Sequence, residues 1–145
     1  MSLYKKGFYV QLEKFLIDTK HTLRNIKVDD YKKKARKMKL GILAMKVCNK
    51  INSKWIIDNF NEKMTEDRKG TTIKENILKE NANFFINTDF KKDLDKAECN
   101  TTMLNINDIL DIKDVWTKFS DEQRAKTFKH LKMLIILCDR YQNSC

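Results

Sequence analysis

Apolar residues recur at spacings of three and four along most of this chain, which is the period of one helical face. Phe8, Leu12, Phe15, Leu16, Thr19 and Leu23 follow it and predict a first helix over residues 3–24, with Gln11, Lys14, Asp18 and Lys20 pointing away. Tyr31, Ala35, Met38, Ile42 and Met45 form the stripe of a second helix, widened by Leu43 and Val47. Asp29 and Asp30 stand ready as its N-caps. Ile51, Trp55, Ile56 and Phe60 keep a similar period, so this helix continues or bends near Asn49. The polar segment 61–72 is the clearest break.

Thr72 with Glu75 fits a capping box, and the helix behind it buries Ile73, Ile77, Leu78, Asn81 or Ala82, then Phe84 and Phe85. The pattern fades over residues 87–102, which read as a flexible loop or, around Asp89–Lys96, a short helix. A further helix starts at Asn105 or Asn107, carries Ile106, Ile109, Leu110, Ile112, Val115, Trp116 and Phe119 on its face, and stops at Ser120. Ser120 and Gln123 make a second capping box, and Asp121 and Glu122 suit the positive end of a helix dipole. The last stripe is Ala125, Phe128, Leu131, Leu134, Ile135, Cys138 and Tyr141. Met133, Ile136 and Leu137 lie off it, so the final turns are apolar almost all round. Such a helix belongs at the centre of a fold. The expected architecture is a single all-α domain over residues 1–145, a bundle of five to six helices around the C-terminal one.

Composition agrees with helices. Pro is absent and only three Gly occur in 145 residues, whereas sheet folds use both residues at their many turns. A chain this long buries roughly two-thirds of its unfolded surface and folds without staples. The four cysteines have no metal-site spacing. Cys48 and Cys138 fall on apolar stripes and read as reduced core residues, and Cys99 with Cys145 is the one alternative pairing. No signal peptide or membrane-spanning run is visible, so the sequon at Asn100 carries no weight and the expected setting is not the secreted one.

Charge changes the picture. The net charge is +10, and residues 27–54 alone hold 10 basic and 2 acidic side chains. Lys32, Lys33, Arg36, Lys37, Lys39 and Lys46 lie together on the second helix and form a candidate polyanion-binding face. Such a face can neutralise phosphates in a salt-dependent, sequence-independent way, or lie on anionic lipid or an acidic protein patch. Lys outnumbers Arg there and no aromatic interleaves it, which argues against base-specific reading. The plain alternative is a solvated face in a Lys-rich chain.

Catalytic chemistry does not assemble. His21 and His130 sit near no nucleophile motif and read as surface or boundary residues. The acidic residues Asp89, Asp93, Asp95 and Glu98 lack a calcium-loop pattern and alternate with lysines. Trp55 and Trp116 read as core. The expectation is no enzyme and no cofactor.

Two blocks resemble a known group. One is Ile77-Leu78-Lys79-Glu80-Asn81-Ala82-Asn83-Phe84-Phe85 with Phe90; the other is Val115-Trp116-Thr117-Lys118-Phe119-Ser120 with Lys126, Phe128, Leu131 and Leu134. Together they resemble short helical proteins of nucleocytoplasmic large DNA viruses, over the second half of the chain. That group has no catalytic motif to carry over. The resemblance implies a viral structural or interaction protein, virion-associated as a minor capsid or similar component. It implies other viral proteins as partners, and the host cytoplasm, virus factory or particle as location. Self-association is compatible with this. The alternatives are a non-specific nucleic-acid-binding or packaging protein working through residues 27–54, and a Bcl-2-like host-interaction module.

Overall fold

A computed structural model describes residues 3–26, 31–87 and 112–144. All of its regular structure there is helical: α1 Leu3–Ile26, α2 Tyr31–Ile51, α3 Trp55–Thr65, α4 Ile73–Leu78, α5 Ala82–Asn87, α6 Ile112–Lys118 and α7 Asp121–Asn143. The expected caps at Asp29 and Asp30, the expected loop beyond Asn87 and the helix start near Asn105 lie outside the described residues.

The C-terminal helix is central, as its nearly all-round apolar pattern predicts. α7 packs against α1, α3 and α4, and it supplies residues to both core clusters. One cluster joins Leu23, Met38, Ile73, Ile77, Phe85, Val115, Trp116 and Phe119 to Phe128 and Ile135. The other joins Phe8, Tyr9 and Ile57 to Leu134, Cys138 and Tyr141. Phe60 and Leu131 border both clusters. Each large apolar side chain removed from water here contributes roughly 1.5–3 kcal/mol. Met133 and Ile136 are exceptions on α7, at 43% and 44% exposed.

Seven helices among the described residues exceed the expected number because two expected helices are interrupted. α2 ends at Ile51, and the turn at Asn52–Lys54 starts α3. Tyr9 on α1 holds that turn by donating its hydroxyl to the Ser53 carbonyl at 2.6 Å, and Lys5 donates to the Ser53 hydroxyl at 2.9 Å. Burial pushes the Tyr9 phenol up to about 12, so it stays a donor. The second interruption divides α4 from α5. The Glu80 amide bonds to the Ile77 carbonyl, and the Asn81 amide to the Asn76 carbonyl at 2.9 Å. Those two bonds are a Schellman stop, with Glu80 at φ +53° in the place glycine usually takes. The side chain of buried Asn76 reinforces it by accepting from the Asn81 side-chain amide and donating to the Thr71 hydroxyl and Thr72 carbonyl.

α3 runs to Thr65, five residues into the expected break. The remaining break is a tight turn, with Lys69 and Gly70 at φ +54° and +89° and paired backbone bonds between Arg68 and Thr71. Both expected helix starts are present. Thr72 accepts from the Glu75 amide, and Ser120 with Gln123 forms the full reciprocal box. α6 meets α7 through Trp116, whose indole N–H donates to the Ala82 carbonyl at 3.1 Å. The Trp116 carbonyl in turn accepts two bonds from the Arg124 guanidinium.

Candidate anion-binding surface

α2 packs on α1 and α3 at the edge of the bundle. Ala35, Met38, Ile42 and Met45 are buried, as their spacing predicts, and Ala44 and Cys48 join them. Leu43 and Val47 are not part of that stripe. They are 51% and 49% exposed, and with Leu40 at 57% and Ile51 at 77% they form a second apolar line facing outward. The spacing 40–43–47–51 obeys the same helical period as the buried line, which is why periodicity assigned two of them to the core.

The six predicted site residues all fall on α2, with cations beside the outward line. Lys32, Lys33, Arg36, Lys39 and Lys46 are exposed, and the side chain of Lys37 lies outside the described residues. Arg36 sits one turn ahead of Leu40 on the same line, and Lys32, Lys39 and Lys46 follow an adjacent one at intervals of seven. Lys50 extends that adjacent line by one turn and was not among the predicted residues. From Tyr31 to Ile51 the helix carries eight Lys and Arg and no Asp or Glu. Glu13 of α1 neutralises Lys46 at 2.9 Å. Lys32, Lys33, Arg36, Lys39 and Lys50 make no ion pair among the described residues. Between α1 and α2, beside Lys46, lies a shallow cleft of about 190 Å³ that includes Lys6, Glu13 and Asn49. Drug-sized ligand pockets run to several hundred Å³.

The other polar groups hold the bundle together. Asp18 of α1 does not point away from the core but toward α7, where its carboxylate meets His130 Nε2 at 2.8 Å and Lys126 at 3.1 Å. Gln11, also expected to face outward, donates to His130 Nδ1 at 2.8 Å. Both imidazole nitrogens are therefore occupied by protein groups, and the ring lies against Phe15. Burial pushes the Asp18 carboxyl up, but the hydrogen bonds from His130 and Lys126 and the charge of Lys126 outweigh it and hold the pKa below the ordinary value. A depressed folded-state pKa stabilises the protein above the unfolded value, and that contribution is lost as pH falls through the folded one. Unfolding stability should therefore decline as pH falls below the ordinary aspartate value of 3.8, and Asp18→Asn should remove part of that slope in urea titrations. Equal slopes in both proteins would refute the assignment.

Cys138 is a buried free thiol, as expected, with its S–H toward the Ile57 carbonyl. Burial, aided by Asp139 and Asp58, pushes it up to about 11, which suppresses the reactive thiolate. Cys48 departs from the expected reduced state, because it is disulfide-bonded. Such bonds persist in oxidising surroundings. Among the described residues no cluster of His, Cys, Asp and Glu suits a metal ion, and no helix is long and apolar enough to cross a membrane.

No protein-family model, curated protein or solved structure matches this chain. The resemblance to giant-virus proteins thus rests on the quoted residue blocks alone.

Proposed function

We propose that this protein is a non-catalytic interaction module that engages an anionic surface through the outward side of α2. The observation that carries this reading is the helix's eight cations without a carboxylate, most of them exposed and without an ion pair among the described residues. Like charges gathered on one helix destabilise it by a few tenths of a kcal/mol per neighbouring pair. A negatively charged partner relieves that repulsion. The occupied nitrogens of His130 and the protonated Cys138 favour binding over catalysis.

Retention on a sulfated polyanion column tests the reading. The wild-type protein should elute only at raised salt, and Lys33→Glu, Arg36→Glu, Lys39→Glu together should bring elution to low salt. Identical elution of the two proteins would sink it. The viral resemblance adds a setting, a virion-associated component such as a minor capsid protein among other viral proteins. Mass spectrometry of purified particles tests that setting, and absence at good coverage would reject it.

A further inference from the structure

We infer that the anionic surface bound by α2 is a phospholipid bilayer, with Leu40, Leu43, Val47 and Ile51 entering its interfacial layer. The inference rests on the anion-binding reading above and names its occupant. Charge by itself does not choose between nucleic acid and lipid, since either supplies phosphate. The apolar line does choose. All four residues are about half exposed or more, and they occupy the same outward side as Arg36 and the flanking Lys39, Lys46 and Lys50. A phosphate backbone offers aliphatic side chains nothing in exchange for their position, and the face carries no aromatic ring on which a base could stack.

A bilayer interface offers both kinds of contact. Aliphatic groups enter the boundary between headgroups and acyl chains, while adjacent lysines reach the phosphates. Each basic residue near an anionic membrane contributes on its own, so a row of them builds affinity that salt weakens. The cationic line and the apolar line lie side by side along α2, and the helix lies at the bundle edge. The protein can therefore dock with this helix in the membrane plane without opening its core. This is peripheral binding, compatible with the absence of a spanning helix among the described residues.

Vesicle co-sedimentation separates the outcomes. Phosphatidylcholine vesicles and vesicles of phosphatidylcholine with phosphatidylserine are compared, and the same proteins are run on the polyanion column and against mixed-sequence duplex DNA. Wild-type protein should sediment with the serine-lipid vesicles and not with the neutral ones. The triple variant Leu40→Ser, Leu43→Ser, Val47→Ser should keep its column retention and lose vesicle affinity by about tenfold or more. These positions are exposed, so circular dichroism should show the variant folded as the wild type is. If the triple variant sediments as well as wild type, the apolar line has no role and the inference falls. If wild-type protein binds the column and DNA but no vesicle, the occupant is nucleic acid; the inference falls while the anion-binding reading stands. If the wild type binds neither column nor vesicle, both fall.

Discussion

Replacing Trp116 by alanine is expected to lower the unfolding free energy by about 3–5 kcal/mol. Single domains are stable by only about 5–15 kcal/mol, so a domain at the low end of that range would lose much of its folded population. The size follows from what one side chain joins. Trp116 is 4% exposed, and its ring centre lies 5.1 Å from Phe85 of α5 and 5.2 Å from Phe128 of α7. Phe119 at the end of α6 lies 6.2 Å away, and the Arg124 guanidinium covers the ring at 5.6 Å. Truncation opens a cavity among four groups that belong to α5, α7 and the junction after α6, and none of them can move alone to fill it. Trp116→Phe separates packing from hydrogen bonding. It keeps most of the volume and leaves the Ala82 carbonyl without its donor, for an expected loss of about 1 kcal/mol beyond the volume change. Urea unfolding of the three proteins decides. A loss below about 1 kcal/mol for the alanine variant would show that the aromatic junction is not part of the cooperative core.

The junction around Trp116 was legible because its signals are local. Ser120 and Gln123 satisfy each other's helix-start groups whatever packs nearby, and the fold forms the box that the sequence announces. The break after Leu78 was not legible. A helix stop is usually marked by glycine, and here Glu80 holds the left-handed position, supported by the Asn76–Asn81 bonds that form only once the chain has turned. The polar run from Asn61 hid the end of α3 in the opposite way, since polar residues on an outward helix face look like a loop. Asp18 and Gln11 were assigned outward by polarity, yet both meet His130 more than a hundred residues later. No period records a partner on another helix.

The candidate site shows the same limit. All six predicted cations lie on α2, because like residues three, four and seven apart share a side of any helix. The apolar half of that surface was hidden. Two lines on α2 obey the helical period: Ala35–Met38–Ile42–Met45 reads as the buried stripe, but spacing does not show that Leu43 and Val47 belong with Leu40 and Ile51 on a separate outward line rather than to a wider stripe. Tertiary packing decides: the first line is buried and the second is not.

Leu134→Ala and Leu43→Ala should therefore behave as opposites, although the chemical change is the same and both residues lie within long helices. Leu134 is 1% exposed on α7, in the cluster with Phe8, Ile57 and Tyr141. α1 and α3 both bear on that site, so it cannot collapse around the missing carbons. The expected loss is about 2–5 kcal/mol, made up of lost burial and the residual cavity. Leu43 is 51% exposed, and its truncation should change stability by no more than about 0.5 kcal/mol. Parallel urea unfolding of the two variants measures both. A cost above about 1 kcal/mol at Leu43 would mean that the outward line is covered in the folded protein and is not free to meet a partner. The expected near-neutral result has a further consequence. Folding does not require large apolar residues at Leu40, Leu43 and Val47, so loss of binding on their substitution can be read as loss of contact rather than loss of structure.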